Sequence, residues 1–210
     1  MTEGRTTGID AQPKTSKRSL RISFNAPLVL VFAALCVVAT VLGMLTGDTS
    51  TRLLFSTYHS SLADPLTYVR AFTHTLGHSG WAHLVGNMAY VLLLGPLLEE
   101  KYGWRTLLEL MLVTAFACSL VNYIFFPNQA LLGASGIVFA FILLGSVTSA
   151  REGEIPLTFV LVALIFLGQQ VYEGVFVADN VSQLSHIIGG IVGAAAGFAL
   201  ARGKGSRASA

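Results

Sequence analysis

Residues 184–201 read LSHIIGGIVGAAAGFALA, an apolar segment that carries one histidine, His186, near its start. Gly189, Gly193 and Gly197 follow at intervals of four residues, so they lie on one face of a helix. Small residues on one face allow two membrane helices to pack with their backbones close together. An ionisable side chain is costly in the hydrocarbon layer. The segment therefore predicts a closely packed membrane helix that carries a functional histidine.

The composition indicates an integral membrane protein. Apolar residue types make up 53% of the 210 residues and charged types only 11%, about half the charged fraction of a soluble domain. The formal net charge of +2 gives no reason to expect a nucleic-acid partner. Cys36 and Cys118 both lie in apolar stretches without the spacing of a metal site, and we interpret them as small buried hydrophobic residues.

Apolar segments suggest an all-α bundle of six transmembrane helices. A helix needs about 20 residues to cross the hydrocarbon layer, and only a helix satisfies its own backbone hydrogen bonds there. The fifth segment is short and contains Gln169 and Gln170, so its ends are the least defined. The six predicted spans are residues 27–45, 82–98, 107–126, 131–150, 156–171 and 184–201.

Basic residues predict the orientation of the bundle. All but two of the 13 Lys and Arg residues precede the first span, follow the last, or lie in the second and fourth connections. Only Arg52 and Arg70 lie in the first connection. Basic residues favour the cytoplasmic side, so both termini are predicted to be cytoplasmic. Residues 47–81, in the first connection, mix apolar and polar types, which predicts amphipathic helices lying in the membrane interface.

Polar residues lie at a matching depth on three of these spans. Ser135, within Gly133-Ala134-Ser135-Gly136, is near the start of the fourth span, His83 and Asn87 near the start of the second, and His186 near the start of the sixth. A serine needs a base to become a nucleophile, and His186 is the candidate. Asn87, His83 and the Ser135 backbone N–H could stabilise an oxyanion. No acidic residue lies nearby in these spans, which favours a dyad over a triad.

Structural roles compete with these assignments. The glycines around Ser135 alone could mark close helix packing, and His83 with Asn87 could form an interhelical hydrogen bond. His74, His78 and His83 could hold zinc, although no H-E-x-x-H pattern is present. Arg105 and Glu109, four residues apart, are predicted to pair at the inner interface.

Taken together, the motifs resemble those of the rhomboid family of intramembrane serine proteases, from about Arg70 to Gly197. The resemblance covers an H-x(4)-H-x(3)-N pattern, a G-P-x-x-E pattern, the serine motif and the histidine helix. The matching residues are His78, His83 and Asn87, then Gly95-Pro96-Leu97-Leu98-Glu99, Gly133-Ala134-Ser135-Gly136, and His186 with Gly189 and Gly193. Three positions depart from common family patterns: Val69 replaces a tryptophan, and Gln183 and Ser185 replace Asn and Ala before the histidine.

The resemblance implies a role for each of these residues. Ser135 would be the nucleophile and His186 the general base, with His83 and Asn87 in the oxyanion hole. Phe139 would place its ring against His186. The supporting residues would be Gly133, Gly136, Phe139 and His78, whereas Arg70 and Glu99 match family positions with structural roles.

The resemblance also implies the domain organisation and activity. Residues 1–24 would be a disordered basic cytoplasmic tail, residues 25–202 a six-helix rhomboid-like membrane domain, and residues 203–210 a cytoplasmic tail. The activity would be that of a serine-type endopeptidase that cleaves transmembrane segments of membrane proteins near the outer face, without metal or other cofactor. The alternative is a non-catalytic rhomboid-like protein that binds transmembrane clients. The compact layout predicts a bacterial cytoplasmic membrane.

Overall fold

The computed structural model describes residues 24–147, 155–176 and 180–208. In these ranges the chain is helical, and its one β-type pairing is an isolated bridge between Thr57 and Leu131. A 3₁₀ turn, His74–Leu76, follows the third helix. The α-helices in chain order are α1 Pro27–Leu45, α2 Thr49–Leu54, α3 Pro65–Thr73, α4 Trp81–Tyr102, α5 Trp104–Phe125, α6 Ser135–Val147, α7 Leu157–Phe176 and α8 Asn180–Ala208.

Four of these helices are long and apolar enough to cross a membrane, namely α1, α4, α5 and residues Gln183–Ala201 of α8. Their outward side chains are apolar and exposed, such as Leu93 at 65% and Ile124 at 58%. Exposed apolar side chains along a whole helix are typical of contact with lipid. The amphipathic helices expected in the first connection are α2 and α3.

The fourth predicted span differs from the structure at its start. Residues 131–134 were expected to be helical, but α6 begins only at Ser135. Leu131 is instead bridged to Thr57, and Gly133 has a φ of +120°, which interrupts a right-handed helix. Helix α6 therefore has 13 residues in the described part of the chain, fewer than a full span needs.

The other boundaries shift by smaller amounts. Helix α8 continues to Ala208, into the segment 203–210 that was predicted to be a tail, because extending an existing helix orders only one residue per added hydrogen bond. Helix α7 begins one residue later than the fifth predicted segment, 156–171, and ends five residues later. The tail predicted for residues 1–24 lies outside the described residues, apart from its last position.

Helix α6 is the centre of the bundle, surrounded by α4, α5, α7 and α8. Most of its side chains are buried, including Ile137, Phe141 and Leu144 at 1% exposure or less. Its closest neighbour is α8. A Cβ atom added at Gly189 would collide with the carbonyl oxygen of Gly136, and one at Gly193 with that of Ala140. The glycine face of α8 thus packs directly on the backbone of α6, as its spacing predicted.

Glu99, at the end of α4, joins that helix to the start of α1. Its carboxylate, 6% exposed, accepts hydrogen bonds from the backbone N–H groups of Leu28 at 3.1 Å and Val29 at 3.0 Å. The first N–H groups of a helix have no partner within it, and they carry the positive end of the helix dipole. Glu99 therefore caps α1 and fixes where α1 begins relative to α4.

Gly193→Ala should destabilise the bundle by about 1–3 kcal/mol, because the added methyl group forces α6 and α8 apart. Gly145→Ala is the matched control on α6, where an added Cβ has no neighbour within 4 Å. Unfolding in mixed micelles, followed by circular dichroism, measures both variants. Equal stability of the two variants would contradict the proposed close contact.

Glu99→Gln should lower the free energy of unfolding by about 1–3 kcal/mol, because a neutral amide replaces a charged acceptor at the end of α1. Glu100→Gln provides the control, since Glu100 is exposed on the same turn of α4. The same unfolding experiment compares them, and α1 is the helix whose protection from hydrogen exchange should fall. An unchanged protection of α1 would show that the cap contributes little.

Candidate active site

One cavity at the end of the bundle collects five of the predicted site residues. It has a volume of about 440 Å³, and its lining includes Ser135, His186, His83, Asn87 and Phe139. Ser135 is the first residue of α6, whereas His83 and Asn87 lie in the first two turns of α4. The three helices that carry these residues meet at the same level, because α6 packs against both α4 and α8.

The loop before Ser135 is held by backbone hydrogen bonds to the first connection. Leu131 and Thr57 exchange two N–H···O bonds of 2.8 and 2.9 Å, and the Gly133 N–H donates to the His74 carbonyl at 2.9 Å. Gly133 has a positive φ that favours glycine. At the start of a helix, the Ser135 N–H has no intrahelical acceptor. The loop therefore fixes Ser135 with its side chain at the cavity and its backbone N–H available.

His186 is fixed from both sides. The ring of Phe139, one turn after Ser135, lies with its centroid 4.4 Å from that of His186. The carbonyl of Ser185 accepts a hydrogen bond from the Cys118 thiol at 3.4 Å, which connects this turn of α8 to α5. Partly buried and in ring contact, the imidazole can move little, so the same face of it stays at the cavity.

His83 and Asn87 present donors on the opposite wall. The His83 Nδ1 accepts from Ser79, from its hydroxyl at 3.1 Å and its N–H at 3.4 Å. An Nδ1 that accepts leaves the proton of the neutral ring on Nε2. A Cβ atom at Gly133 would lie 2.8 Å from that Nε2. The Asn87 Nδ2 is buried and has no hydrogen-bond partner in the described part of the chain.

His78 lies behind His83 rather than in the cavity. It is 3% exposed, its Nδ1–H donates to the Leu76 carbonyl at 3.1 Å, and its ring centroid is 5.0 Å from that of His83. The pKa of His78 is lowered to about 4, mainly by burial and also by the nearby His83, against the opposing effect of the hydrogen bond to the Leu76 carbonyl. His78 is therefore neutral at physiological pH and supports His83 by contact.

The two glycines of the serine motif have different surroundings. Gly133 faces the ring of His83, whereas a Cβ at Gly136 would lie 2.9 Å from the Cys118 sulfur on the far side of α6 from the cavity. Gly136 thus permits close packing of α5 and α8 on α6. Neither glycine lines the cavity itself.

Part of the cavity wall was not predicted from the sequence. Tyr90, Val138 and Ile142 also line it, and Tyr90 is about half exposed. Tyr90 lies three residues after Asn87, on the same face of α4. That helical spacing from His83 and Asn87 was the signal that could have identified it.

The three histidines considered for zinc do not point to one place. The His74 Nε2–H donates to the Ala115 carbonyl on α5 at 3.0 Å, and His74 is 1% exposed. His78 and His83 face each other one loop away. Across residues 24–147, 155–176 and 180–208, no group of three or more His, Cys, Asp or Glu side chains could hold a metal ion.

The first connection is built around a buried arginine. Arg70, 2% exposed, donates to the Asp64 carboxylate at 2.8 Å and to the Ser60 hydroxyl at 3.0 Å, and its guanidinium lies over the ring of Tyr58. The hydrogen bond from Arg70 is the main cause that lowers the pKa of Asp64. This network holds the connection that in turn holds the loop before Ser135.

Comparison with known proteins identifies the family. The Rhomboid domain matches residues 65–203, about two-thirds of the chain. This protein belongs to the rhomboid family. The match includes every residue that lines the cavity.

Curated relatives agree with this membership. The chain is 32% identical over 158 residues to Rhomboid-related protein 2 of Mus musculus, which covers 65% of this chain and 52% of that protein. It is 30% identical over 130 residues to Rhomboid-related protein 1 of Caenorhabditis elegans, and this match covers 58% of this chain and 36% of that protein. It is 32% identical over 132 residues to RHOMBOID-like protein 4 of Arabidopsis thaliana, and this match covers 59% of this chain and 32% of that protein. The chain thus matches between a third and about half of the length of these relatives.

His78→Gln should make the protein less sensitive to acid. The folded pKa of about 4 lies below the ordinary value of 6.5, so the unfolded chain binds a proton that the folded chain excludes. Stability from this group is complete above pH 6.5 and is lost as the pH falls towards 4. Between pH 7 and 4.5, the wild type should lose about 1–2 kcal/mol more than the variant.

Unfolding free energies measured across this pH range, with His59→Gln as control, test the prediction. His59 is exposed and lies outside the cavity. Parallel curves for the wild type and His78→Gln would show that His78 is not held neutral by burial.

Proposed function

We propose that this protein is an intramembrane serine endopeptidase that cleaves transmembrane segments of other membrane proteins through a Ser135–His186 dyad. The observation that carries the proposal is the shared cavity, where a hydroxyl, an imidazole and two hydrogen-bond donors from three helices meet. The membership in the rhomboid family supports it. A serine, a base and donors around one space are the components of acyl transfer.

The first half of the reaction forms an acyl-enzyme. His186 takes the proton of the Ser135 hydroxyl while the Ser135 oxygen bonds to the scissile carbonyl carbon. The electron pair of the C=O π bond moves onto the carbonyl oxygen, which becomes an oxyanion. Asn87 Nδ2, His83 Nε2–H and the Ser135 N–H stabilise this oxyanion. The carbonyl then reforms, the C–N bond breaks, and His186 gives its proton to the leaving amine.

The second half consumes water. His186 takes a proton from a water molecule while the water oxygen attacks the acyl carbon, and the same donors stabilise the second oxyanion. The bond to Ser135 then breaks and the serine oxygen recovers the proton, releasing the new carboxyl end. In this proposal Phe139, whose ring centroid lies 4.4 Å from that of His186, helps to orient the imidazole.

The surroundings of the cavity suggest the class of substrate. It lies among helices whose outer surfaces are apolar, so a substrate that enters from the side comes from the bilayer. A transmembrane helix hides its peptide carbonyls in its own hydrogen bonds. We therefore expect cleavage where the substrate helix is weakened near its end, and we expect helix-destabilising residues to promote it.

The proposal includes the membrane topology. Helices α6 and α7 would complete a six-span bundle with α1, α4, α5 and α8, and basic residues would place both termini in the cytoplasm with the cavity near the outer face. The relatives named above are eukaryotic and do not support the bacterial membrane that the compact layout predicted. The proposed location is therefore a cellular membrane crossed several times by the chain.

Two substitutions test the dyad. Purified protein is reconstituted in vesicles with a panel of single-span proteins, and the products are mapped by mass spectrometry. Ser135→Ala and His186→Ala should each reduce cleavage by at least about 10³-fold, because they remove the nucleophile and its base. Asn87→Ala should reduce the rate by about 10²-fold, because it removes one oxyanion donor.

Matched controls separate loss of chemistry from loss of fold. Ser146→Ala alters a serine at the other end of α6, where the hydroxyl donates to the Leu143 carbonyl. His59→Ala alters an exposed histidine. Both controls should keep wild-type rates. Cleavage that survives in Ser135→Ala would refute the proposal, and substrate binding without any cleavage by the wild type would favour a client-binding protein.

A further inference from the structure

A second large space lies at the opposite end of the bundle from Ser135. This groove, between α5, α6 and α8, has a volume of about 540 Å³. Ala195, Ala196 and Ala199 form its wall on α8, and their small side chains create the space. Val113 and Ile191, at 56% and 59% exposure, line it as well, so the groove is open to the surroundings of the bundle.

One carboxylate interrupts the apolar lining. Glu109 is exposed and lies five residues after the start of α5, about 7.5 Å along the helix axis. Thr106, on the same face one turn earlier, also lines the groove. The groove therefore has a polar opening near the start of α5 and an apolar interior.

The predicted pair between Arg105 and Glu109 does not form. The Arg105 guanidinium carbon lies 5.2 Å from the centroid of the Trp104 ring instead. Among the described residues the one ion pair is that of Arg70 with Asp64. Stacking on an exposed indole satisfies the guanidinium at the interface, and it leaves the charge of Glu109 facing the groove.

A carboxylate beside an apolar groove favours an occupant with a cationic end and a hydrocarbon body. We propose that the groove binds an acyl chain of a phospholipid with a primary-amine headgroup, whose ammonium pairs with Glu109. A primary ammonium donates up to three hydrogen bonds to carboxylate and hydroxyl oxygens. A quaternary choline ammonium has no N–H to donate.

The size of the groove favours a lipid chain over a helix. A helix with its side chains is about 10 Å across, so 540 Å³ would hold only about 7 Å of it, little more than one turn. A transmembrane partner would need a contact surface along several turns. A flexible acyl chain needs only the width of a methylene chain and follows the alanine wall into the bundle.

Native mass spectrometry of the full-length protein tests the site. Phosphatidylethanolamine and phosphatidylcholine with identical acyl chains are titrated in turn, and the affinities of the first bound lipid are compared. The wild type should prefer phosphatidylethanolamine by roughly fivefold, the value expected for one charge at the interface. Glu109→Gln should bring the ratio of the two affinities close to one.

Two further variants distinguish this site from general lipid contact. Glu100→Gln removes an exposed carboxylate at the same end of the bundle outside the groove, and it should keep the wild-type preference. Ala199→Trp fills the groove and should weaken binding of both lipids equally. Equal affinities in the wild type, a preserved preference in Glu109→Gln, or unchanged binding in Ala199→Trp would each overturn the proposal.

Discussion

The close contact between α6 and α8 determines the geometry of the cavity. In a bilayer, hydrophobic burial does not drive one helix against another, so helices associate mainly where their surfaces allow van der Waals contact. Gly189 on α8 faces Gly136 on α6, and Gly193 faces Ala140. His186 lies one turn before Gly189, and Ser135 is adjacent to Gly136. The register that brings the glycines together therefore also sets the depth of the imidazole relative to the hydroxyl. The separation of these two side chains depends on helix packing rather than on a flexible loop.

The first connection, between α1 and α4, fixes the loop that precedes Ser135. The loop before Ser135 is held by Thr57 and His74, both from the segment between α1 and α4. That segment is in turn organised by Arg70. A loop at the end of a membrane bundle would otherwise be free to move, because few apolar side chains hold it. Backbone pairing to a folded connection gives Ser135 a fixed position, and the ring of His83 occupies the space that the absent side chain of Gly133 leaves.

The sequence contained the helices and most of the polar side chains of the cavity, because both follow from local patterns. The continuous apolar run of α1 predicts a membrane helix, and the spacing of His83, Asn87 and Tyr90 by three and four residues predicts one face of a helix. The bridge between Thr57 and Leu131 was not readable, since it joins a polar loop to a segment whose leucines resemble the start of a helix. Leu131 and Leu132 carry the hydropathy of a span, but a pairing 74 residues away in sequence determines their conformation. Long-range backbone pairing leaves no periodic signal in either partner. Arg105 was mispredicted for a local reason, since its stacking on Trp104 rather than pairing with Glu109 depends on the side-chain geometry at the start of α5.

Among the described residues, the buried polar atom without a partner that lines the cavity is the amide nitrogen of Asn87. Most buried polar side chains here have at least one partner: Asn122 donates to two carbonyls, and His74 donates to a carbonyl on α5. Other buried polar atoms, such as His74 Nδ1 and Gln183 Oε1, also lack a partner in the described part of the chain, but Asn87 Nδ2 is the one that lines the cavity. An unsatisfied buried donor costs about 1–3 kcal/mol. Such a cost is expected where a group waits for a charge that exists only during a reaction. In the proposed reaction the oxyanion of acyl transfer is such a charge, and Asn87 Nδ2 lines the cavity in which it would form.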